Sequence, residues 1–104
     1  MNKTAIIYVK KGDREIEQKL FCQIYALENN LDVVDIVKDF DEVDNCDVVL
    51  VANHHTISRD AIEYYGIMNE LKDRGVEVKV AINEENAGRY IELITRELKK
   101  VKVR

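Results

Sequence analysis

Four short apolar runs constrain the fold of this chain more than any other feature. Each is five or six residues long, which is too short for a buried helix, and each is rich in valine and isoleucine. Runs of this length and composition predict β-strands. They are Thr4-Ala-Ile-Ile-Tyr-Val9, Val33-Val-Asp-Ile-Val37, Asp47-Val-Val-Leu-Val51 and Val76-Glu-Val-Lys-Val80. The fourth run alternates valine with charged residues, which is typical of a half-exposed strand at a sheet edge.

Apolar residues at helical spacing occupy the stretches between these runs. The first predicted helix extends to about Asn29-Asn30, a pair that favours a left-handed stop. The second begins at Ser58, which we expect to be its N-cap, and ends at Arg74-Gly75. The third covers residues 84–101. This order predicts an α/β fold in three layers, with a mostly parallel four-stranded sheet flanked by three helices.

One connection departs from the regular pattern. Only nine residues, 38–46, separate the second and third strands, and a helical crossover needs about a dozen or more. We therefore expect one face of the sheet to lack a helix. An uncovered face of this kind would favour a partner subunit.

Length and composition indicate a single globular domain. The chain has 104 residues, of which 46% are apolar and 35% charged, and it contains no proline. No apolar run approaches the roughly 18 residues that a membrane span requires, and no signal-peptide pattern opens the sequence. We expect a cytoplasmic protein in which Cys22 and Cys46 remain free thiols.

Charge is distributed unevenly along the chain. Residues 28–47 contain eight acidic residues and one basic residue, whereas residues 89–104 contain six basic and two acidic residues. An acidic body repels nucleic-acid phosphates, so any DNA binding is expected to be weak and confined to the basic end. The candidate phosphate contacts there are Lys99, Lys100, Lys102 and Arg104. The alternative interpretation is a solvated helix end favoured by the helix dipole.

Several segments resemble the catalytic domain of serine recombinases of the resolvase/invertase type, over roughly residues 4–98. The likeness is greatest in three segments that are spaced as they are in the family: Asp47-Val-Val-Leu-Val51, the helix start Ser58-Arg59-Asp60, and Leu71-Lys-Asp-Arg-Gly-Val-Glu-Val78. Three shorter segments are similar to the family's first strand, its first helix and the opening of its long dimerisation helix: Ala5-Ile-Ile-Tyr8, Gln23-Ile-Tyr-Ala-Leu27 and Asn86-Ala-Gly-Arg89.

The resemblance implies a chemistry that this chain is poorly equipped to perform. In the family a serine attacks a DNA phosphodiester, and a cluster of arginines stabilises the charged transition state. The family's Tyr-x-Arg-Val-Ser is here Tyr8-Val-Lys-Lys-Gly12, so Gly12 stands at the nucleophile position and Lys10 at an arginine position. The family's Asp-Arg-Leu-x-Arg is here His55-Thr-Ile-Ser-Arg59, which retains only Arg59. The family's active-site positions are occupied here by Tyr8, Lys10, Gly12, Gln23, Asp39, His55, Thr56 and Arg59.

The resemblance also implies that the last helix serves association. Its family role would fall on the apolar residues Ala87, Tyr90, Ile91, Ile94 and Leu98, although the helix is shorter than in the family. We expect no DNA-reading domain after it. We expect a homodimer, or association with another recombinase-like protein.

Three other features invite a functional interpretation. Ser58 lies next to Arg59 and three residues after His55, which allows a displaced nucleophile, although an N-cap explains the same serine. His54-His55 near Cys46, Asp47 and Asp60 suggests a metal, but a structural zinc site needs a closed set of four ligands. Lys10-Lys-Gly-Asp13 joins a strand to a helix and suggests an anion site, although one glycine falls short of a nucleotide-binding fingerprint.

The sequence therefore predicts a degenerate, catalytically silent relative of the serine recombinases, with no cofactor and no metal, that acts through protein association. Two alternatives stay open: an active DNA recombinase with a displaced nucleophile, and a small flavodoxin-like domain that binds an anion or a nucleotide.

Overall fold

The computed structural model describes the backbone of residues 2–12, 14–53 and 60–102, and side chains as far as Arg96. Within these residues a four-stranded sheet is flanked by three helices, as predicted. The elements are β1 (Thr4–Tyr8), α1 (Glu15–Glu28), β2 (Asp32–Val37), a 3₁₀ turn (Phe40–Glu42), β3 (Val48–Val51), α2 (Ala61–Asp73), β4 (Glu77–Val80) and α3 (Ala87–Lys102). No helix in the described parts of the chain is long and apolar enough to cross a membrane.

The strand order is β2-β1-β3-β4, and all three pairings are parallel. β4 lies at an edge of the sheet, as its alternating sequence predicted, and β2 forms the other edge. β1 lies in the middle, with Ile7 in register with Ile36 of β2 and Leu50 of β3. The pairing of β1 with β2 contains a bulge, because the register shifts between Ala5 and Ile6. This strand order is that of doubly wound sheets of the flavodoxin type.

Alternate residues of β1 face two separate hydrophobic cores, as expected for a strand covered on both faces. On one side, called the α1 side, Ala5 and Ile7 pack with the core that includes Cys22 of α1. On the other, called the α2 side, Ile6 and Tyr8 pack with the core that includes Leu71 of α2. α3 packs against α1.

The expectation that one face lacks a helix is therefore wrong for the sheet as a whole. The nine-residue link does leave β2 less covered, because it contributes a single 3₁₀ turn where a crossover helix would lie. Five of the six residues of β2, 32–36, are exposed, and only Val37 is buried.

The C-terminal ends of α1 and α2 agree with the sequence prediction, whereas the start of α2 does not. α1 ends at Glu28, and Asn30 adopts the left-handed conformation with φ 55°, as predicted. Gly75, with φ 76°, ends α2 in the same way. The N-cap of α2 is Asp60 rather than Ser58, because the Asp60 carboxylate accepts hydrogen bonds from the N–H groups of Ile62 (2.9 Å) and Glu63 (3.3 Å).

α3 begins at Ala87, later than the predicted residue 84. Two asparagines hold the preceding residues in a turn: Asn83 Oδ1 accepts from the N–H groups of Glu85 and Asn86, both at 2.9 Å. The Asn86 side chain in return accepts from the Asn83 N–H and donates to the Ala81 carbonyl, again at 2.9 Å each. This reciprocal arrangement fixes the direction in which α3 leaves the sheet.

Candidate functional site

The connection from β1 to α1 is held in place by a buried glutamine. The Oε1 atom of Gln18 accepts a hydrogen bond from the Lys10 N–H at 2.7 Å, and its Nε2 atom donates to the Lys10 carbonyl at 3.1 Å. Gln18 is the buried polar residue of the described core. Because both backbone polar groups of one residue are bound by one side chain, the backbone position of Lys10 is fixed.

Gly12 has a backbone conformation that favours glycine. Its φ is 83°, in the left-handed region, although no atom would obstruct an added Cβ. The Gly12 N–H donates to Oε2 of Glu15 at 3.0 Å, and the same carboxylate forms an ion pair with Lys38. The Lys38 hydrogen bond, followed by the Gly12 N–H, lowers the pKa of Glu15, so the group is ionised at neutral pH.

The Glu15 carboxylate already occupies the position at which this loop could bind an anion. An N–H group after a parallel strand is the type of donor that binds a phosphate oxygen, but here it binds the Glu15 carboxylate. A negative charge at this position repels a DNA phosphate.

Tyr8 and Asp39, two of the family's active-site positions, lie near each other. The Tyr8 ring stacks on Phe40 with ring centroids 3.8 Å apart, and the residue is buried. Burial, then the nearby Asp39 and Glu63 carboxylates, raise the pKa of the Tyr8 hydroxyl. Asp39 caps the 3₁₀ turn by accepting from the Asp41 N–H at 2.9 Å. Both side chains therefore have structural roles.

Gln23, a further family position, does not lie beside Tyr8. Gln23 lines a groove between α1 and α3, on the α1 side of the sheet, whereas Tyr8 faces the α2 side. His55, Thr56 and Arg59 lie outside the described residues, as do His54 and Ser58. Among the residues that the structure describes, no group of three or more metal-ligand side chains could hold an ion.

A polar cluster joins the start of α3 to the end of α1. The Arg89 guanidinium donates to both carboxylate oxygens of Glu28, with Nη2 at 2.9 Å from Oε1. The Tyr90 hydroxyl donates to the same Oε1 at 2.8 Å, and the Arg89 guanidinium lies 4.9 Å from the Tyr90 ring centroid. The Arg89 and Tyr90 hydrogen bonds lower the pKa of Glu28 to about 2, while burial, followed by the Glu28 hydrogen bond, raises the pKa of Tyr90 to about 12.

This cluster determines which of the predicted association residues face outward. Tyr90 and Ile94 are buried within the chain, and Ala87 is half-buried. Ile91 is 54% exposed. Leu98, like the basic residues Lys99, Lys100, Lys102 and Arg104, lies beyond the described side chains. Beside Ile94, a groove of about 320 Å³ between α1 and α3 is lined by Leu20, Gln23, Ile24, Leu27, Leu93 and Ile94.

No family model matches the chain, and no curated protein matches it significantly. Among solved structures, the chain is similar to the crystal structure of the C-terminal catalytic domain of ISC1926 TnpA, an IS607-like serine recombinase. The TM-score is 0.64 over 94% of this chain and 80% of that chain, at 22% sequence identity. The chain has a serine recombinase-like fold. This confirms the architecture that the sequence resemblance implied.

At 22% identity, the likeness is one of architecture. The two polar clusters around Gln18 and Glu28 were not predicted from the sequence. The signal in the sequence was a polar or acidic residue on an apolar helix face, since Phe21 and Cys22 follow Gln18, and Ile24 and Tyr25 precede Glu28, at helical spacing.

Proposed function

We propose that the chain is a catalytically silent, recombinase-related domain of the cytoplasm that acts by associating with a second copy or with another recombinase-like protein. The observation that carries this proposal is the Gly12 loop. The position that corresponds to the family nucleophile has no hydroxyl, and its N–H binds the Glu15 carboxylate. A lysine replaces one family arginine, and lysine cannot form the two-point contact that guanidinium makes with a phosphate.

The exposed apolar residues of α1 and α3 support association as the remaining activity. Leu27 of α1 is 81% exposed, and Ile91 of α3 is 54% exposed. Both lie on helices of the α1 side, and Leu27 borders the groove between them. We propose that this surface is the contact with the second chain. The basic residues 99–104 add at most a weak, salt-sensitive contact with DNA.

Sedimentation velocity over a concentration series tests the association. We expect the wild type to form dimers, and Ile91→Asp to weaken the dimer roughly tenfold or more, because an apolar anchor at an interface is replaced by a charge. Ile62→Asp is the matched control, since Ile62 is 84% exposed on α2, on the opposite side of the sheet. A wild type that stays monomeric at high micromolar concentration would contradict the association proposal.

Incubation with duplex DNA tests the catalytic silence. We expect no covalent protein–DNA adduct after denaturation. An adduct that disappears in Ser58→Ala would show that Ser58 acts as a displaced nucleophile.

The strand order favours one second candidate, a small anion- or nucleotide-binding domain. In open parallel sheets ligands bind beyond the carboxyl ends of the strands where the order reverses, which here is between β1 and β3. Lys10 and Gly12 lie at that end. Thermal stabilisation of the wild type by millimolar phosphate or a nucleotide, abolished in Lys10→Ala, would favour this candidate.

A further inference from the structure

We propose that the free edge of β2 binds a basic, extended segment of another protein, which adds a strand to the sheet. This inference goes beyond the proposed association through α1 and α3, because it concerns the edge of β2, which meets that surface at Leu27, and a different kind of partner. It rests on the exposure of β2, on the separation of its apolar and acidic side chains, and on its charge.

The first observation is the open edge. Within the described residues β2 pairs only with β1, so its other side presents backbone groups to solvent. The Val37 carbonyl accepts from the Val9 N–H at 2.9 Å, so Val37 faces β1 and the N–H of its neighbour Ile36 points away from the sheet. That N–H is held by Oδ1 of Asp35 at 2.7 Å. Asp35 protects the edge in the absence of a partner, and a docking strand must replace this contact.

The second observation is the alternation across the strand. Val33 and Ile36 are in register with Ala5 and Ile7, which places them on the α1 side, and both are exposed. Asp35 is in register with Ile6, which places it on the α2 side. At these three positions a docking strand meets apolar residues on one face and a carboxylate on the other.

A hollow extends the apolar side. It has a volume of about 410 Å³ between the end of α1 and the start of β2, and it is lined by Gln23, Ala26, Leu27, Leu31, Asp32 and Val33. A large apolar side chain from a docking strand would fill this hollow and cover Leu27. Pockets for alternate side chains are what give specificity when a peptide adds to a sheet edge.

The third observation is charge, which indicates what kind of segment can bind at this edge. β2 carries Asp32 and Asp35 and no basic residue, and Lys38, which follows it, is paired with Glu15. Pairing of two β2 edges would bring two such acidic segments together, which disfavours a second copy at this edge. A segment that alternates apolar residues with lysine or arginine complements both faces of the strand.

Fluorescence anisotropy with a labelled peptide of alternating valine and lysine tests the proposal. We expect binding by the wild type and none of a valine–glutamate peptide. A lysine-rich peptide of equal charge that contains prolines should bind roughly tenfold more weakly or worse, because prolines prevent strand addition. Asp35→Lys should weaken binding of the valine–lysine peptide roughly tenfold and allow the valine–glutamate peptide to bind, since the cross-strand attraction of the basic peptide becomes repulsion.

The matched control is Asp73→Lys, an equal charge change at an exposed position of α2. It should bind the basic peptide like the wild type. Equal losses in Asp35→Lys and Asp73→Lys, or equal binding of the proline-containing peptide, would overturn the proposal in favour of general charge attraction. Failure of the valine–lysine peptide to bind would also overturn it. Loss of self-association in Asp35→Lys would instead make the edge an interface between copies.

This test is independent of the proposed function. Ile91→Asp should keep its peptide binding whether or not it dimerises, because Ile91 belongs neither to β2 nor to the lining of the hollow. Circular dichroism of each variant confirms that the fold is retained.

Discussion

On the α2 side of the sheet, large apolar side chains from β1, β3 and α2 pack together, whereas on the α1 side the core contains three alanines and the helices are also held by polar contacts. Leu71 represents the first kind of packing. Gln18 and Glu28 represent the second, one fixing the loop before α1 and the other fixing α3. Apolar packing supplies stability without direction, while hydrogen bonds fix particular atoms in particular places. The candidate site and the proposed association surface both lie where the directional contacts are.

The largest expected effect is on the α2 side. Leu71→Ala removes a fully buried side chain and should lower the free energy of unfolding by about 3 kcal/mol, through lost burial and a residual cavity. Cys22→Ala on the α1 side removes one buried sulfur atom and should cost about 1 kcal/mol. Urea denaturation measures both. Equal costs would contradict the difference between the two cores.

Gln18→Ala should have the next largest effect. It leaves the N–H and carbonyl of Lys10 without their partner, which should cost about 2 kcal/mol. Gln23→Ala on the same helix is the control, since Gln23 is half-buried and its loss should cost less than about 0.5 kcal/mol. Hydrogen exchange at Lys10 should accelerate in the first variant alone. A small effect of Gln18→Ala would mean that the loop is held by other contacts.

The difference between apolar packing and polar contacts also explains which parts of the structure could be predicted from the sequence. The strands and helices followed from the apolar pattern, because burial on both faces leaves a short continuous apolar run, as in β3, and burial of one helix face leaves apolar residues at helical spacing. The mostly parallel sheet followed from the order of strands and helices and from the rules for parallel connections, whereas the strand order β2-β1-β3-β4 was not predicted.

The polar contacts could not be predicted, because they depend on which distant residues meet. Glu28 and Arg89 are 61 positions apart. The cap of α2 was misplaced for a related reason: Ser58 and Asp60 are both favourable N-cap residues, and only the position of the helix decides between them. The expectation that one face of the sheet lacks a helix was wrong for another reason. The short link between β2 and β3 leaves only β2 without a covering helix, rather than a whole face of the sheet.

Gly12 offers a test of backbone strain at the candidate site. Gly12→Ser should lower the free energy of unfolding by about 1 kcal/mol, because a side chain disfavours its φ of 83° even though space is available. Gly66→Ala is the matched control: Gly66 lies within α2, also with free space, and its replacement should stabilise by about 0.5–1 kcal/mol. Thermal denaturation shows whether each substitution stabilises or destabilises the fold. A Gly12→Ser variant as stable as the wild type would show that the loop accepts a serine without strain.

The smallest effect is expected at the exposed ion pair of α3, and its signature is pH dependence. The pKa of Glu28 is lowered from 4.5 to about 2 in the folded chain, so the ionised carboxylate stabilises the fold at neutral pH. That contribution is complete above about pH 4.5 and is lost as the pH falls towards 2.

The difference in stability between wild type and Glu28→Gln should therefore be constant near neutrality and decline to zero between those values. Urea denaturation at a series of pH values measures it, and added salt should reduce it because the pair is exposed. Arg89→Gln should remove the same pH dependence, and adding Glu28→Gln to it should change little further. A pH-dependent difference that persists in the Arg89→Gln background would assign the pKa shift to the Tyr90 hydroxyl instead. α3 would then be held mainly by its buried aromatic residue.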